Sequence, residues 1–240
     1  MSLETEIRKD LTNRGAAFVH FVDVSHLPEQ QNKGLNTAIL FGLPLSPEFI
    51  REVAQTDDYV EQLVRSNRQD EDEFNLKELE AGRMADELAD FLASENYLAY
   101  SQSDKNLERN GSYDLQNHTT LLPHKTIAVL AGIGWIGKNN LLITNELGSA
   151  ISMCTVLTNA PLAAPTSAEV HSKCGNCSIC RDVCPTGALT GKSWSKNTVR
   201  DEIVDVYKCT TCLKCLVHCP WTQSYTQKHL PGKRDYPNNK

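Results

Sequence analysis

The sequence predicts a mixed α/β or α+β domain over residues 1–165, a small cysteine-rich domain over 166–225, and a polar tail over 226–240. Three observations carry this reading. Strand-like apolar runs alternate with helical stretches until about residue 160. A turn-rich break at 161–167 (PLAAPTS) follows. Eight of the nine cysteines lie beyond that break.

Taken in order, residues 3–14 read as an amphipathic helix and 17–24 as a β-rich run. Residues 37–45 (TAILFGLPL) form a second apolar run, closed by Pro44. Ser46, Pro47 and Glu48 make a helix start: a capping hydroxyl, proline at the first helical position and an acid in the first turn. Helices are expected over 47–67 and 75–94, the second with Met84, Leu88, Phe91 and Leu92 on one face. The acidic run 70–73 reads as a solvated helix start. Residues 97–101 read as a short strand, 103–117 as a polar loop with the turn signal Asn110-Gly111, and 124–132 as a helix. Residues 141–144 and 150–159 read as strands joined through 145–148 in the manner of a hairpin. Cys154, in the last of these strands, reads as a small buried hydrophobe.

Cys174, Cys177, Cys180 and Cys184 run as C-x2-C-x2-C-x3-C, with Pro185 next; Cys209, Cys212, Cys215 and Cys219 repeat the run, with Pro220 next. This is the bacterial ferredoxin ligand pattern, so two [4Fe–4S] clusters are expected. Two-residue spacers let three thiolates on one tight loop reach three irons. In two-cluster ferredoxins the fourth thiolate comes from the other run. Cluster I is therefore assigned to Cys174, Cys177, Cys180 and Cys219, and cluster II to Cys209, Cys212, Cys215 and Cys184. The repeat also predicts a pseudo-twofold arrangement. Zinc on CxxC pairs is the competing chemistry, but it explains neither the triple runs nor the trailing prolines.

Composition narrows the function classes. A hydrophobic fraction of 40% and a charged fraction of 22% fit a soluble globular protein. No apolar run approaches the roughly 18 residues that a membrane span needs. The start MSLETEIRKD lacks the apolar core of a signal peptide. A cytoplasmic location is expected, where closely spaced cysteines are metal ligands before they are disulfides. With a net charge of −6 and no basic stripe, the chain lacks the electrostatic footprint of a nucleic-acid binder.

Gly132, Gly134 and Gly137 spell GxGxxG, with Lys138 behind them. A dinucleotide fingerprint follows a strand and opens a helix. Here a helix-like stretch precedes the glycines and a strand follows, so a nicotinamide cofactor is not expected. The stretches AGIGWIGKNNLLIT, GSAISMCTVLTNAPL, CGNCSICRDVCPTGAL and CLKCLVHCPWT together resemble the epoxyqueuosine reductase family and, more distantly, the reductive dehalogenases. The resemblance is strong over 120–222 and weak before it.

The resemblance implies an oxidoreductase in which a cobalamin-binding domain is fused to a two-cluster ferredoxin domain. Electrons would pass from a surface cluster to an inner cluster and then to cobalt. No D-x-H-x-x-G motif occurs, so the cobalamin would be held base-off, with no protein histidine on cobalt. Gly132, Gly134, Trp135, Ile136, Gly137 and Lys138 are the implied cofactor contacts. The glycines would let backbone lie against a flat macrocycle, Trp135 and Ile136 would form an apolar wall, and Lys138 would meet a phosphate or an amide. The plainer role for the same residues is packing between domains, with Lys138 in solvent.

Two departures bear on the reaction. The family carries a proton-donating aspartate in a VDSAP-like stretch shortly before the glycine block. Here that stretch reads HTTLLPHKT, and no aspartate occurs between Asp114 and Asp182. His118 falls about where the acid would be and is the candidate proton donor, near Thr119, Thr120 and His124; a structural histidine is the alternative. The longer family members hold tRNA with added C-terminal sequence, whereas this chain ends at Lys240. The expectation is thus an unidentified small substrate in place of tRNA, with reduced ferredoxin or flavodoxin as electron donor. Two alternatives stand beside it: a ferredoxin-like carrier that reduces a partner or its corrinoid, and a queuosine-tRNA epoxide reductase.

Overall fold

The computed structural model describes residues 2–165, 168 and 170–230. Its elements begin with α1 (Leu3–Asn13), β1 (Phe18–Asp23), α2 (Glu29–Asn32), β2 (Thr37–Pro44), α3 (Pro47–Gln55), α4 (Tyr59–Ser66) and α5 (Glu73–Ser94). Next come β3 (Ala99–Ser101), α6 (Asp104–Arg109), β4 (Tyr113–Asp114), β5 (Thr119–Thr120), α7 (His124–Leu130), β6 (Gly134–Ile136), β7 (Leu142–Thr144) and β8 (Ile151–Thr158). The cysteine-rich part adds α8 (Ile179–Asp182), α9 (Lys214–Val217) and α10 (Pro220–His229).

The main sheet runs β1-β2-β8-β3, and each of its pairings is antiparallel. That resolves the open choice of class to α+β. β2 reads as a continuous apolar run because both of its faces are covered. Ile39, Phe41 and Leu43 pack with Ile7 and Leu11 of α1 and Met84, Leu88 and Leu92 of α5. The alternate residues Ala38 and Leu40 pack with Ile127 and Ala128 of α7. Alternation along a strand sends neighbours to opposite faces, so two covered faces demand apolar residues at every position. Cys154 is buried in the first of these layers, 2% exposed, as expected of a small hydrophobe.

The first and cysteine-rich parts share a core. Leu45, Phe49, Ile50, Val53 and Ala150 form one cluster with Leu213, Leu216, Val217 and Tyr225. The Tyr225 hydroxyl donates to the Leu45 carbonyl at 2.9 Å, and the Ser149 amide donates to Thr222 Oγ1 at 3.0 Å. Gly148 (φ +59) is needed at this seam, since a Cβ there would lie 2.2 Å from the Thr222 amide nitrogen. The proposed boundary at 165/166 divides the chain's path, not this core.

Several expectations need correction. The helix expected over 47–67 is two helices, broken at an extended Thr56. The Thr56 carbonyl is taken by Lys214 Nζ at 2.6 Å, which diverts it from a helical bond. Asp72 is not solvated: it is 5% exposed and accepts from the Tyr59 hydroxyl at 3.1 Å. The stretch 103–117 is not all loop. Ser103 Oγ caps α6 by accepting from the Asn106 amide, and β4 pairs with β5. β7 and β8 are not a hairpin: β7 pairs with β6 in a separate ribbon, while β8 pairs with β2 and β3. The tail expected from 226 begins inside α10, which runs to His229; residues 231–240 lie outside the described residues. Of the expected break at 161–167, residues 166 and 167 also lie outside them. Among the described residues no helix is long and apolar enough to cross a membrane.

Candidate functional site

The two cysteine runs fold alike. Each places a four-residue helix around its third cysteine, α8 in the first run and α9 in the second. Cys174, Cys177 and Cys180 line one cavity of about 170 Å³, and the fourth thiol in its wall is Cys219, from the other run. Ile143, Trp221, Lys138, Asn139 and Lys173 complete much of the lining. Around Cys184 the second grouping forms: Cys180, Cys184 and Cys215 pack with Ala188, Leu189 and Val204.

The thiols feel each other largely in the same two sets, with Cys180 of the first also felt by Cys215 of the second. Burial pushes Cys180 up to about 11, reinforced by Cys177, Cys219 and Cys174. Burial pushes Cys215 up to about 12, reinforced by Cys212, Cys209, Cys180 and Cys184. Cys219 is raised by burial and by Cys174 and Cys177. At Cys184 burial also acts upward, but the Thr186 hydroxyl and the amides of Leu189, Ala188 and Thr186 outweigh it and hold the thiol low. Thiols crowded at low dielectric resist ionising together, and a bound cation reverses that penalty. Among the described residues no three His, Cys, Asp or Glu side chains converge on a point that a single metal ion would occupy. Four thiols ringing a cavity suit a cube with an iron at each liganded corner.

The glycine block sits beside this cavity, with Lys138 and Asn139 in its lining. Trp135 (1% exposed) and Ile136 (3% exposed) are core residues of β6, not a wall facing an open site. A Cβ on Gly134 would lie 2.2 Å from the Ile143 carbonyl oxygen, and one on Gly137 would lie 2.4 Å from the Ile143 side chain. These glycines let β6 close on β7. Gly132 has φ +67 and ends the turn after α7. Lys138 is half-buried, and its Nζ donates to the Gly175 carbonyl at 2.8 Å and to the Cys177 carbonyl at 3.0 Å.

Trp135 stacks edge-on against Trp221 at 5.0 Å, in one packed group with Cys219, Ile143 and Cys174. Its buried Nε1–H has no acceptor among the described residues. A buried N–H without a partner is costly, and a thiolate or inorganic sulfide would relieve it. This orphaned donor belongs to the packed group that holds Cys219 and Cys174, two of the cavity's four thiols, and so suits a sulfur-rich surrounding.

His118 is exposed at the β4–β5 turn, with φ +47. Its Nδ1 lies 3.3 Å from the Tyr113 hydroxyl. The turn is moored to the cysteine-rich part: Arg200 donates to the carbonyls of Asn117 and His118, both at 2.8 Å, and the Tyr207 hydroxyl donates to that of Gln116. His124 is turned inward, its Nδ1 2.9 Å from the Thr155 hydroxyl, and burial lowers it to about 4. Two groups poised near neutral pH were missed by the sequence reading. Burial lowers Lys125 to about 8 where it donates to Asn140. Glu78 keeps an exposed edge, yet desolvation beside Asp104 and Asp72 raises it to about 7, in a second cavity of about 430 Å³ that His124 and Cys154 also line. Desolvation leaves no local mark in sequence, so neither was visible there.

Comparison with known proteins agrees with this geometry. Residues 173–223 match the family described as 4Fe-4S dicluster domain. The epoxyqueuosine reductase of Bacillus anthracis is 36% identical over 108 residues, which covers 38% of this chain and 28% of that protein. The chain thus spans under a third of that relative's length. An epoxyqueuosine reductase solved with a tRNA-Tyr epoxyqueuosine-modified stem loop aligns with 93% of this chain and 66% of its own, at 17% identity and a TM-score of 0.55. A reductive dehalogenase whose structure suggests a mechanism for B12-dependent dehalogenation aligns with 87% of this chain and 30% of its own, at 19% identity and a TM-score of 0.61. The chain resembles epoxyqueuosine reductases in sequence, and it shares a fold with them and with reductive dehalogenases.

Proposed function

We propose that this protein is an iron–sulfur oxidoreductase in which two [4Fe–4S] clusters carry electrons to an acceptor bound by the chain. Cluster I is held by Cys174, Cys177, Cys180 and Cys219, and cluster II by Cys209, Cys212, Cys215 and Cys184. The observation that carries this reading is the entry of Cys219 into the cavity of the first run. Cys209, exposed, and its neighbours form the side that a reduced ferredoxin or flavodoxin would approach. Each cluster, once bound, supplies a one-electron step. The chain's contribution is to seat the thiolates, bury Cys219 against Trp135 and Ile143, and tie the second run to the first part of the chain through Asn139, whose Nδ2 donates to the Cys215 carbonyl at 3.3 Å.

A corrinoid is the acceptor favoured by the resemblance and by the B12-dependent dehalogenase of similar fold. Of the residues expected to touch it, Trp135 and Ile136 are enclosed and Lys138 is engaged with two carbonyls, so a corrin bound here would be met by other groups of the chain. No step is therefore assigned to the corrin through them. For the substrate, the likeness to a protein solved with a modified tRNA stem loop supports tRNA epoxide reduction and weighs against the expectation of a small substrate only. One experiment tests the acceptor. Protein purified without oxygen and reconstituted with iron and sulfide is mixed with cobalamin and passed through a sizing column. A base-off cobalamin spectrum eluting with the protein is expected; cobalamin eluting free, with both clusters reducible, would make the chain an electron carrier.

A further inference from the structure

We infer that Lys138 is the positioning residue of cluster I, tying the loop that bears Cys174 and Cys177 to the first part of the chain and raising that cluster's midpoint potential. The inference deepens the iron–sulfur reading above and rests on it. Lys138 springs from a rigid base. β6 just before it is paired with β7, and Gly134 and Gly137 are closed against Ile143 with no room for a Cβ. From there the ammonium reaches across 37 and 39 residues of sequence to the carbonyls of Gly175 and Cys177. Those two carbonyls flank Asn176, between the first and second ligands of the run. Hydrogen bonds from a charged donor are roughly twice as strong as neutral ones, so this is a firm hold on a short, largely exposed loop.

The same side chain lines the cavity of the four thiols. A cluster gains a negative charge when reduced, so a fixed ammonium at its edge favours the reduced form. Lys173 also lines the cavity, but it is exposed and donates to Asn145 Oδ1 at 2.8 Å. The second run is held differently: Lys214 donates to the Thr56 carbonyl, and the neutral Asn139 amide donates to the Cys215 carbonyl at 3.3 Å. Lys138 lines the first run's cavity, so its effect is assigned to cluster I.

The test uses the full chain, reconstituted without oxygen, as wild type, Lys138→Met and Lys138→Arg. Iron is measured first, then each cluster's midpoint by redox titration followed by EPR. In wild type about eight irons per chain are expected. In Lys138→Met the expected result is a shift of one midpoint to more negative potential with the other unchanged, or loss of one cluster's irons alone. Lys138→Arg, which keeps the charge, is expected to restore the lost midpoint or irons. Full iron content with both midpoints unmoved in Lys138→Met would overturn the inference, as would an equal shift of both. If wild type itself takes up zinc or too little iron, the cluster reading fails, and that is seen before either variant is compared.

Discussion

The two cysteine runs share one spacing but are held in place by different physics. In the second, the short helix KCLV buries Leu216 and Val217 in the core shared with α3 and α10. In the first, the matching helix ICRD holds no fully buried residue, and Ile179 is 38% exposed. The second run is fastened by apolar burial, each large side chain contributing about 1.5–3 kcal/mol. The first is fastened by polar hooks, with Lys138 on its loop and Cys219 reaching over from its partner run. A repeat in sequence thus need not be a repeat in energetics: ligand spacing is set by the cluster, and anchoring by whatever lies beneath.

The largest effect expected tests the exchange of the fourth ligand. Cys219→Ser should remove the cluster of the first run, and Cys184→Ser that of the second, each at a cost of about half the iron. EPR of the surviving cluster decides; a serine that damaged its own run's cluster would sink the exchange. Next in size is the contrast in anchoring. Leu216→Ala should lower stability by about 2–5 kcal/mol in denaturant unfolding. Ile179→Ala, on the matching helix, should change it by no more than about 0.5 kcal/mol. Equal losses would erase the distinction between the runs.

The smallest effect separates both runs from the sheet they sit on. Glu78 is exposed at one edge, but desolvation and the nearby Asp104 and Asp72 raise it from 4.5 to about 7, so the folded state holds a proton that the unfolded state has released. Stability should therefore fall as pH rises from about 4.5 to about 7. Glu78→Gln removes that loss. It should gain on the order of 1 kcal/mol at pH 8, after allowance for solvent screening, and little at pH 4. Melting temperatures at the two pH values report this, and cluster content should not change.

Legibility followed the range of the interaction. The cysteine runs, the cap at Ser46 and the apolar stripe of α5 are local patterns, and the structure has them where spacing put them. β2 was readable because two covered faces leave an unbroken apolar run. One miss was local: Leu142–Thr144 looked like the partner of the strand that follows it, yet it pairs with Gly134–Ile136 just before it, where glycine allows the approach. The other misses were decided at a distance. Lys138 looked free for a ligand because its two carbonyl partners lie in another part of the chain. The break at Thr56 depends on Lys214, more distant still. α6 is an exception, since Ser103 followed by Asp104 was a capping signal in plain view.

The ninth cysteine has a use of its own. Cys154 lies under α5 with its thiol pushed well above the usual range by burial. In cluster-free protein the other eight thiols are open or half-open, apart from Cys219. A thiol-reactive dye should thus find two populations, prompt and delayed, and the delay of the last one to react is a clock for the opening of the sheet. The residue that takes no part in carrying electrons becomes a built-in gauge of how long the scaffold stays shut.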